Sequence, residues 1–71
     1  MIIRAYQLTK GCLFQKGNVV YRVIDKDELV IQYSCDNRAN MGVFNKNSHS
    51  MGAKSQERIT LIKGKIIAES L

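Results

Sequence analysis

The sequence is informative first through what it lacks. Its 71 residues include no proline and no tryptophan, one histidine and two cysteines. Two cysteines are too few for the disulfide framework of a small secreted domain, and no Cys-x-x-Cys pair or histidine cluster offers metal-ligand spacing. We therefore expect no metal and no cofactor. We also expect reduced thiols, at least one of them in the core.

Long hydrophobic runs and a secretory leader are also missing. No apolar stretch reaches the length of a membrane span, and the N-terminus lacks the basic, apolar and small-residue order of a signal peptide. These absences predict a cytoplasmic protein without membrane contact. Catalytic groups are scarce too, because the chain has one histidine, His49. Ser48 and Ser50 are its neighbours in sequence, but adjacency alone does not align a serine hydroxyl with a base. A chain this short has little room for a deep cleft, so we expect a binding protein, not an enzyme.

The clearest pattern present is a β-hairpin within residues 17–35. Apolar residues occur at every second position on both sides of the acidic segment 25–28, as a half-buried strand pair requires. The acidic segment supplies the turn. Four side chains of the second strand share one phase and are predicted to face the core: Leu29, Ile31, Tyr33 and Cys35.

Shorter patterns predict the rest of the chain. Residues 1–8 are expected to be a strand, with a short helix as the alternative. Residues 41–44 and 58–62 are also expected to be strands, and residues 66–68 a last strand or one helical turn. Phe14, between the bends at Gly11 and Gly17, is predicted to anchor the core, and Gly64 to lie in a turn. Residues 36–40 have turn composition, and residues 45–56 read as a long polar basic loop. We therefore predict one all-β domain over residues 1–71, with five or six short antiparallel strands.

Positive charge is concentrated in one interval. Residues 37–65 hold six basic side chains and one acid, which equals the net charge of +5 for the whole chain. Such an asymmetry favours a polyanionic partner, most often nucleic acid, over a solvated basic surface without a partner. The candidate nucleic-acid-binding residues are Arg38, Lys46, Asn47, His49, Lys54, Arg58, Lys63 and Lys65.

Each residue type in this set suggests a role. The lysines and Arg58 are expected to contact phosphates, with an affinity that falls steeply as salt rises. Arg38 or Arg58 is expected to add bidentate contacts, which lysine does not make. Asn47 and His49 are expected to hydrogen-bond sugar, phosphate or base edges. The hairpin tyrosines are expected to pack together, with a base-stacking platform as the alternative, so base stacking is predicted to be limited.

The segment TKGCLFQKGNVVYRVIDKDELVIQ resembles the entry of small SH3-like barrels, where glycine, strand, acidic turn and strand follow in this order. The resemblance covers roughly the first half of the chain and implies a small SH3-like barrel. Such barrels occur among nucleic-acid-associated modules and among short proteins carried by phages and mobile elements. The resemblance therefore also implies an alternative function, a protein-binding module such as a phage-type inhibitor or regulator docking on a host protein. The sequence leaves open DNA or RNA as partner, and whether copies form a homo-oligomer.

Overall fold

The computed structural model describes residues 1–40 and 48–67 and contains one antiparallel sheet of six strands. The strands are β1 (Ile2–Arg4), β2 (Leu13–Lys16), β3 (Val19–Lys26), β4 (Val30–Cys35), β5 (Ser48–Gly52) and β6 (Arg58–Lys63). Their order across the sheet is β1-β6-β2-β3-β4-β5. The predicted all-β fold, a small barrel-like sheet of short antiparallel strands, is confirmed. Within the described ranges, no helix has the length and apolar character needed to cross a membrane.

The hairpin of β3 and β4 forms where the alternation predicts it. Asp27 closes the turn, because its N–H donates to the carbonyl of Val30 at 3.0 Å and its Oδ1 accepts the N–H groups of Leu29 and Val30 at 2.8 Å. The hydrogen bonds from Val30 and Leu29 hold the pKa of Asp27 below its ordinary value, since they favour the ionised carboxylate. Leu29 is 79% exposed. Its predicted place in the core is wrong, because it lies in the turn, one residue before β4 begins.

Phe14 lies at the centre of the core, as predicted. It sits on β2, which pairs with β3 on one side and β6 on the other, and its side chain is fully buried. Strand β2 itself was not predicted, because four residues between two glycine bends are too few to reveal an alternation. The other buried apolar residues of the core are Ile3, Leu8, Cys12, Val23, Ile31, Tyr33, Ala53 and Ile59.

The predicted strand over residues 1–8 is wrong beyond Arg4. Strand β1 ends there, and a 3-10 turn spans Ala5–Gln7. The side chain of Gln7 is buried, and its Oε1 accepts the N–H of Arg4 at 3.0 Å while its Nε2 donates to the carbonyl of Ile67 at 3.1 Å. The buried amide of Gln7 is therefore satisfied by one backbone group of the same turn and one from the distant segment at Ile67.

The predicted loop over residues 45–56 is wrong for Ser48–Gly52, which form β5 at the edge of the sheet. Met51 lies opposite the buried Ile31 and supplies an inward apolar side chain. A polar strand can pair with β4 in this way, because one face of an antiparallel sheet can remain in contact with water. Residues 45–47 lie outside the described residues, as does the strand predicted over 41–44.

The last strand or helical turn predicted over residues 66–68 is wrong for residues 66 and 67, which are neither, and residue 68 lies outside the described residues. The carbonyl of Lys65 accepts hydrogen bonds from Thr9 Oγ1 at 2.5 Å and Cys12 Sγ at 3.1 Å. The N–H of Ile67 donates to the carbonyl of Gln7 at 2.8 Å. These contacts dock the segment against the chain that precedes β2, so it needs no strand partner of its own.

The two cysteines occupy different environments, and neither is in a disulfide. Cys12 is buried in the core, which confirms that at least one thiol lies there, and Cys35 is half-buried. Cys35 follows Ile31 and Tyr33 in the inward phase of β4 and pairs with Tyr21. It lies at the end of the strand, which explains its intermediate exposure.

Gly64 is predicted to tolerate no side chain. Its φ is +122°, and an added Cβ would lie 2.7 Å from Cys12 Sγ and 2.9 Å from Cys12 Cα. We expect Gly64→Ala to lower the free energy of unfolding by about 2 to 4 kcal/mol, because backbone strain and a clash with main chain add together. Denaturant unfolding measures this change.

Gly52→Ala is the matched control. An added Cβ there meets nothing within 4 Å, and the residue lies in β5 without a positive φ. It should leave stability nearly unchanged. Equal effects of the two substitutions would show that the close approach of Gly64 to Cys12 is not a constraint.

Candidate functional site

Antiparallel pairing gathers the strand termini at two opposite ends of the sheet. We call one the Lys16 end, where β1, β2 and β4 finish and β3, β5 and β6 begin. The other is the Lys26 end, where β3, β5 and β6 finish. The predicted site residues at or next to the Lys16 end are Arg38, His49 and Arg58. Those at or next to the Lys26 end are Lys54, Lys63 and Lys65.

The predicted basic interval therefore does not form one patch. Arg58 and Lys63 are the first and last residues of β6. At roughly 3.3 Å per residue their backbones are about 16 Å apart. Lys46 and Asn47 lie outside the described residues. The sequence interval that carries the net charge is thus divided by the fold between the two ends.

A residue outside that interval, Arg4, meets Arg58 at the Lys16 end. The two arginines are directly opposite in the pairing of β1 with β6, next to the inward pair Ile3 and Ile59. Alternation places both arginine side chains on the outer face. Arg4 Nη1 donates to the carbonyl of Gln56 at 3.0 Å, which orients its guanidinium. Neither arginine is in an ion pair with a carboxylate of the described part of the chain.

The nearest acid in sequence, Glu57, is engaged elsewhere. Its Oε2 lies 3.0 Å from Lys16 Nζ, at the end of β2. The hydrogen bond to Glu57 raises the pKa of Lys16, partial burial opposes it, and the nearby side chains of Tyr33 and Tyr21 add to the rise. Lys16 therefore holds Glu57 at the end of β2.

Four rings form a cluster across β2 to β5, which we call the aromatic cluster: Phe14, Tyr21, Tyr33 and His49. Tyr33 contacts Phe14 edge-on with centroids 5.3 Å apart, and Tyr21 with centroids 5.0 Å apart. His49 lies opposite Tyr33 in the β4–β5 pairing and stacks on it, with centroids 5.3 Å apart and ring planes at 22°. The predicted packing of the two tyrosines is confirmed, and the cluster extends from the core to the exposed His49.

The turn that carries Arg38 is held by Asp36, which is 7% exposed. Asp36 Oδ1 accepts the N–H of Ala39 at 2.7 Å, and Oδ2 accepts Arg22 Nη2 at 2.9 Å. These contacts, that of Ala39 first and that of Arg22 second, hold the pKa of Asp36 below its ordinary value. Asn40 Nδ2 donates to the carbonyl of Val20 at 2.8 Å and completes the attachment to β3. The predicted turn is confirmed.

Another candidate, a pocket of about 540 Å³, is less suited to a polyanion. Its lining combines both signs of charge with apolar groups: Tyr6, Lys26, Asp27, Glu28, Leu29, Ala53, Lys54 and Ile67. The ammonium group of Lys26 is committed to the backbone carbonyls of Tyr6 and Leu8, and burial lowers its pKa. No group of three metal-ligating side chains occurs within residues 1–40 and 48–67.

Sequence reasoning missed Arg4, Lys16 and the stacked position of His49. The pairing of β1 with β6 joins residues more than fifty positions apart, so nothing local relates Arg4 to Arg58. For His49 a signal was available, because Met51 and Ala53 follow it at every second position and indicate a strand.

Comparison of the chain with protein-family models, with curated protein sequences and with solved structures finds no match in any of the three.

Asp36→Asn is predicted to make the protein less stable at neutral pH. Because the folded pKa of Asp36 is lowered, the ionised carboxylate stabilises the fold above its unfolded pKa of about 4. That stabilisation is lost as pH falls through the folded value. The free energies of unfolding of wild type and variant, measured with denaturant, should therefore differ most at neutral pH and converge as the pH falls below the unfolded pKa and through the lower folded pKa.

Asp25→Asn removes the same charge from an exposed position whose carboxylate contacts only the adjacent N–H of Lys26. Asp25→Asn should lower the free energy of unfolding much less than Asp36→Asn does. If the difference in the free energy of unfolding between wild type and Asp36→Asn stayed constant as the pH fell, the assigned role of the Asp36 carboxylate would be wrong.

Proposed function

We propose that this protein is a non-enzymatic module that binds nucleic acid, DNA or RNA, mainly through phosphate contacts at the Lys16 end of the sheet. The observation that carries the proposal is the cross-strand pair of Arg4 and Arg58. Like charges directly opposite one another in a sheet destabilise it, so such a pair is favoured where an anion binds between or beside the two groups. A phosphate oxyanion matches the planar, multi-donor guanidinium group.

The surroundings of the pair support an external anion. Arg4 is oriented by the carbonyl of Gln56, which leaves other guanidinium N–H groups for a ligand. Glu57 is paired with Lys16 at 3.0 Å and is in no ion pair with Arg58. The net charge of +5 adds long-range attraction for a polyanion and makes a polymer of phosphates a better partner than a single anion.

The position of the one histidine supports binding over catalysis. His49 stacks on Tyr33, and alternation along β5 points Ser48 and Ser50 to the opposite face. A serine nucleophile needs a base within hydrogen-bond reach. The two serines next to His49 in sequence do not meet that requirement.

A protein-binding module is the second candidate, and the exposed edge of β5 favours it. The five residues of β5 pair with β4 without a register shift and include no lysine, acid or proline. Such an edge has little protection against an added strand, and strand addition is a common mode of peptide recognition. If a folded sample binds no oligonucleotide even at low salt, the protein-binding function is favoured over the nucleic-acid-binding function.

The arginine pair is tested by two double variants of equal net charge. We expect Arg4→Gln/Arg58→Gln to weaken oligonucleotide binding about tenfold or more, because charge-assisted hydrogen bonds to phosphate are lost. The slope of log affinity against log salt should also fall by about 0.7 to 0.9 for each phosphate contact removed. Fluorescence anisotropy with labelled single- and double-stranded DNA and RNA at several salt concentrations measures both quantities.

Lys63→Gln/Lys65→Gln is the control, because it removes two exposed charges at or next to the Lys26 end. It should reduce affinity less, through the general field alone. Equal losses in the two double variants would mean that net charge, and not the arginine pair, determines binding. Unchanged affinity of the arginine variant would contradict the site.

A further inference from the structure

The aromatic cluster ends in His49, which is exposed at the Lys16 end on the inner face of the sheet, whereas the arginine pair lies at the same end on the outer face. A ligand that contacts both therefore passes over this end of the sheet. His49 has one ring face against Tyr33, and the residue is exposed to solvent. The ring of Tyr21 meets it edge-on, with centroids 5.6 Å apart. A flat, exposed ring with a supported back is the geometry on which an unpaired base stacks.

The support behind His49 is rigid. Tyr33 is 7% exposed and is held by Phe14 and Tyr21, each within 5.3 Å between ring centroids. The backbone pairing of β4 with β5 sets His49 directly opposite Tyr33. Because the ring is positioned before any ligand arrives, little side-chain freedom is lost on binding.

One cationic side chain between His49 and the arginine pair is Lys16, at the end of β2, and its ammonium group is paired with Glu57. Four strand spacings separate β5 from β6, about 19 Å if the sheet were flat and less when it curls. Small barrels that bind single strands cover about 4 to 16 nucleotides, so a strand of about 12 nucleotides is long enough for this span.

We propose that His49, backed by Tyr33, stacks on an unpaired base while the arginine pair holds phosphates of the same strand, so that the ligand is single-stranded nucleic acid. This inference rests on the proposed function and adds the substrate class to it. In a duplex each base is already stacked on its neighbours and offers only its edges in the grooves. One ring on an edge strand therefore gains a stacking contact only with an unpaired base.

The test compares three ligands of about 12 nucleotides, long enough for the estimated span: a labelled thymidine oligomer, the same length of abasic strand, and a duplex. The abasic strand keeps the phosphates and removes the bases. We expect wild type to bind the thymidine strand about tenfold more tightly than the abasic strand, because one stacked base contributes on that scale. The duplex should bind more weakly than the thymidine strand.

His49→Ala should lose about tenfold in affinity for the thymidine strand and nothing for the abasic strand. His49→Phe should restore the affinity, because it replaces the ring without the imidazole hydrogen-bonding groups. Ser50→Ala, on the same strand but the opposite face, is the matched control and should behave as wild type. Circular dichroism and thermal unfolding establish that each variant is folded before its binding is compared.

Three results would overturn the inference in different ways. If all three ligands bind equally and His49→Ala is without effect, stacking at His49 is wrong while phosphate binding stands. If folded wild type binds none of the ligands at low salt, the proposed function fails and the stacking role fails with it. Loss of affinity in His49→Phe equal to that in His49→Ala would assign a hydrogen bond to the imidazole instead of a stacked base.

Discussion

Burial of Phe14 is the interaction on which the rest of the structure depends. The residue lies on β2, the strand that connects β1 and β6 on one side to β3, β4 and β5 on the other. Full burial of such a side chain contributes about 1.5 to 3 kcal/mol, a large share of the stability of a chain this short. Its ring also supports Tyr21 and Tyr33, so the core is continuous with the aromatic cluster that reaches the surface at His49.

Closure of the small sheet depends on polar contacts between segments that are distant in sequence. Gln7 joins the end of β1 to Ile67, and Thr9 and Cys12 bind the carbonyl of Lys65. A domain of this size has few apolar side chains to bury, so satisfied backbone groups at the chain ends matter more than in a larger protein. The same contacts bring the chain past Cys12 so closely that Gly64 is required.

The positions of the basic residues in the fold could not be predicted from their positions along the chain. The interval 37–65 carries the whole net charge, yet antiparallel strands send its basic residues to both ends of the sheet. Arg4, outside that interval, instead becomes the neighbour of Arg58. The site is therefore partly predictable, since Arg58 and His49 were candidates, but their neighbours follow from strand order and register.

The elements that can be read from the sequence are those specified by short-range chemistry. Period-two alternation, the acidic turn at Asp27 and the Asp36 turn are local, because backbone geometry and side-chain hydrogen bonds act over a few residues. The fold as a whole sets the pairing of β1 with β6, the position of Ser48–Gly52 at the edge beside β4, and the stacking of His49 on Tyr33. Those contacts join residues far apart in the chain, and their choice depends on how the whole core packs around Phe14.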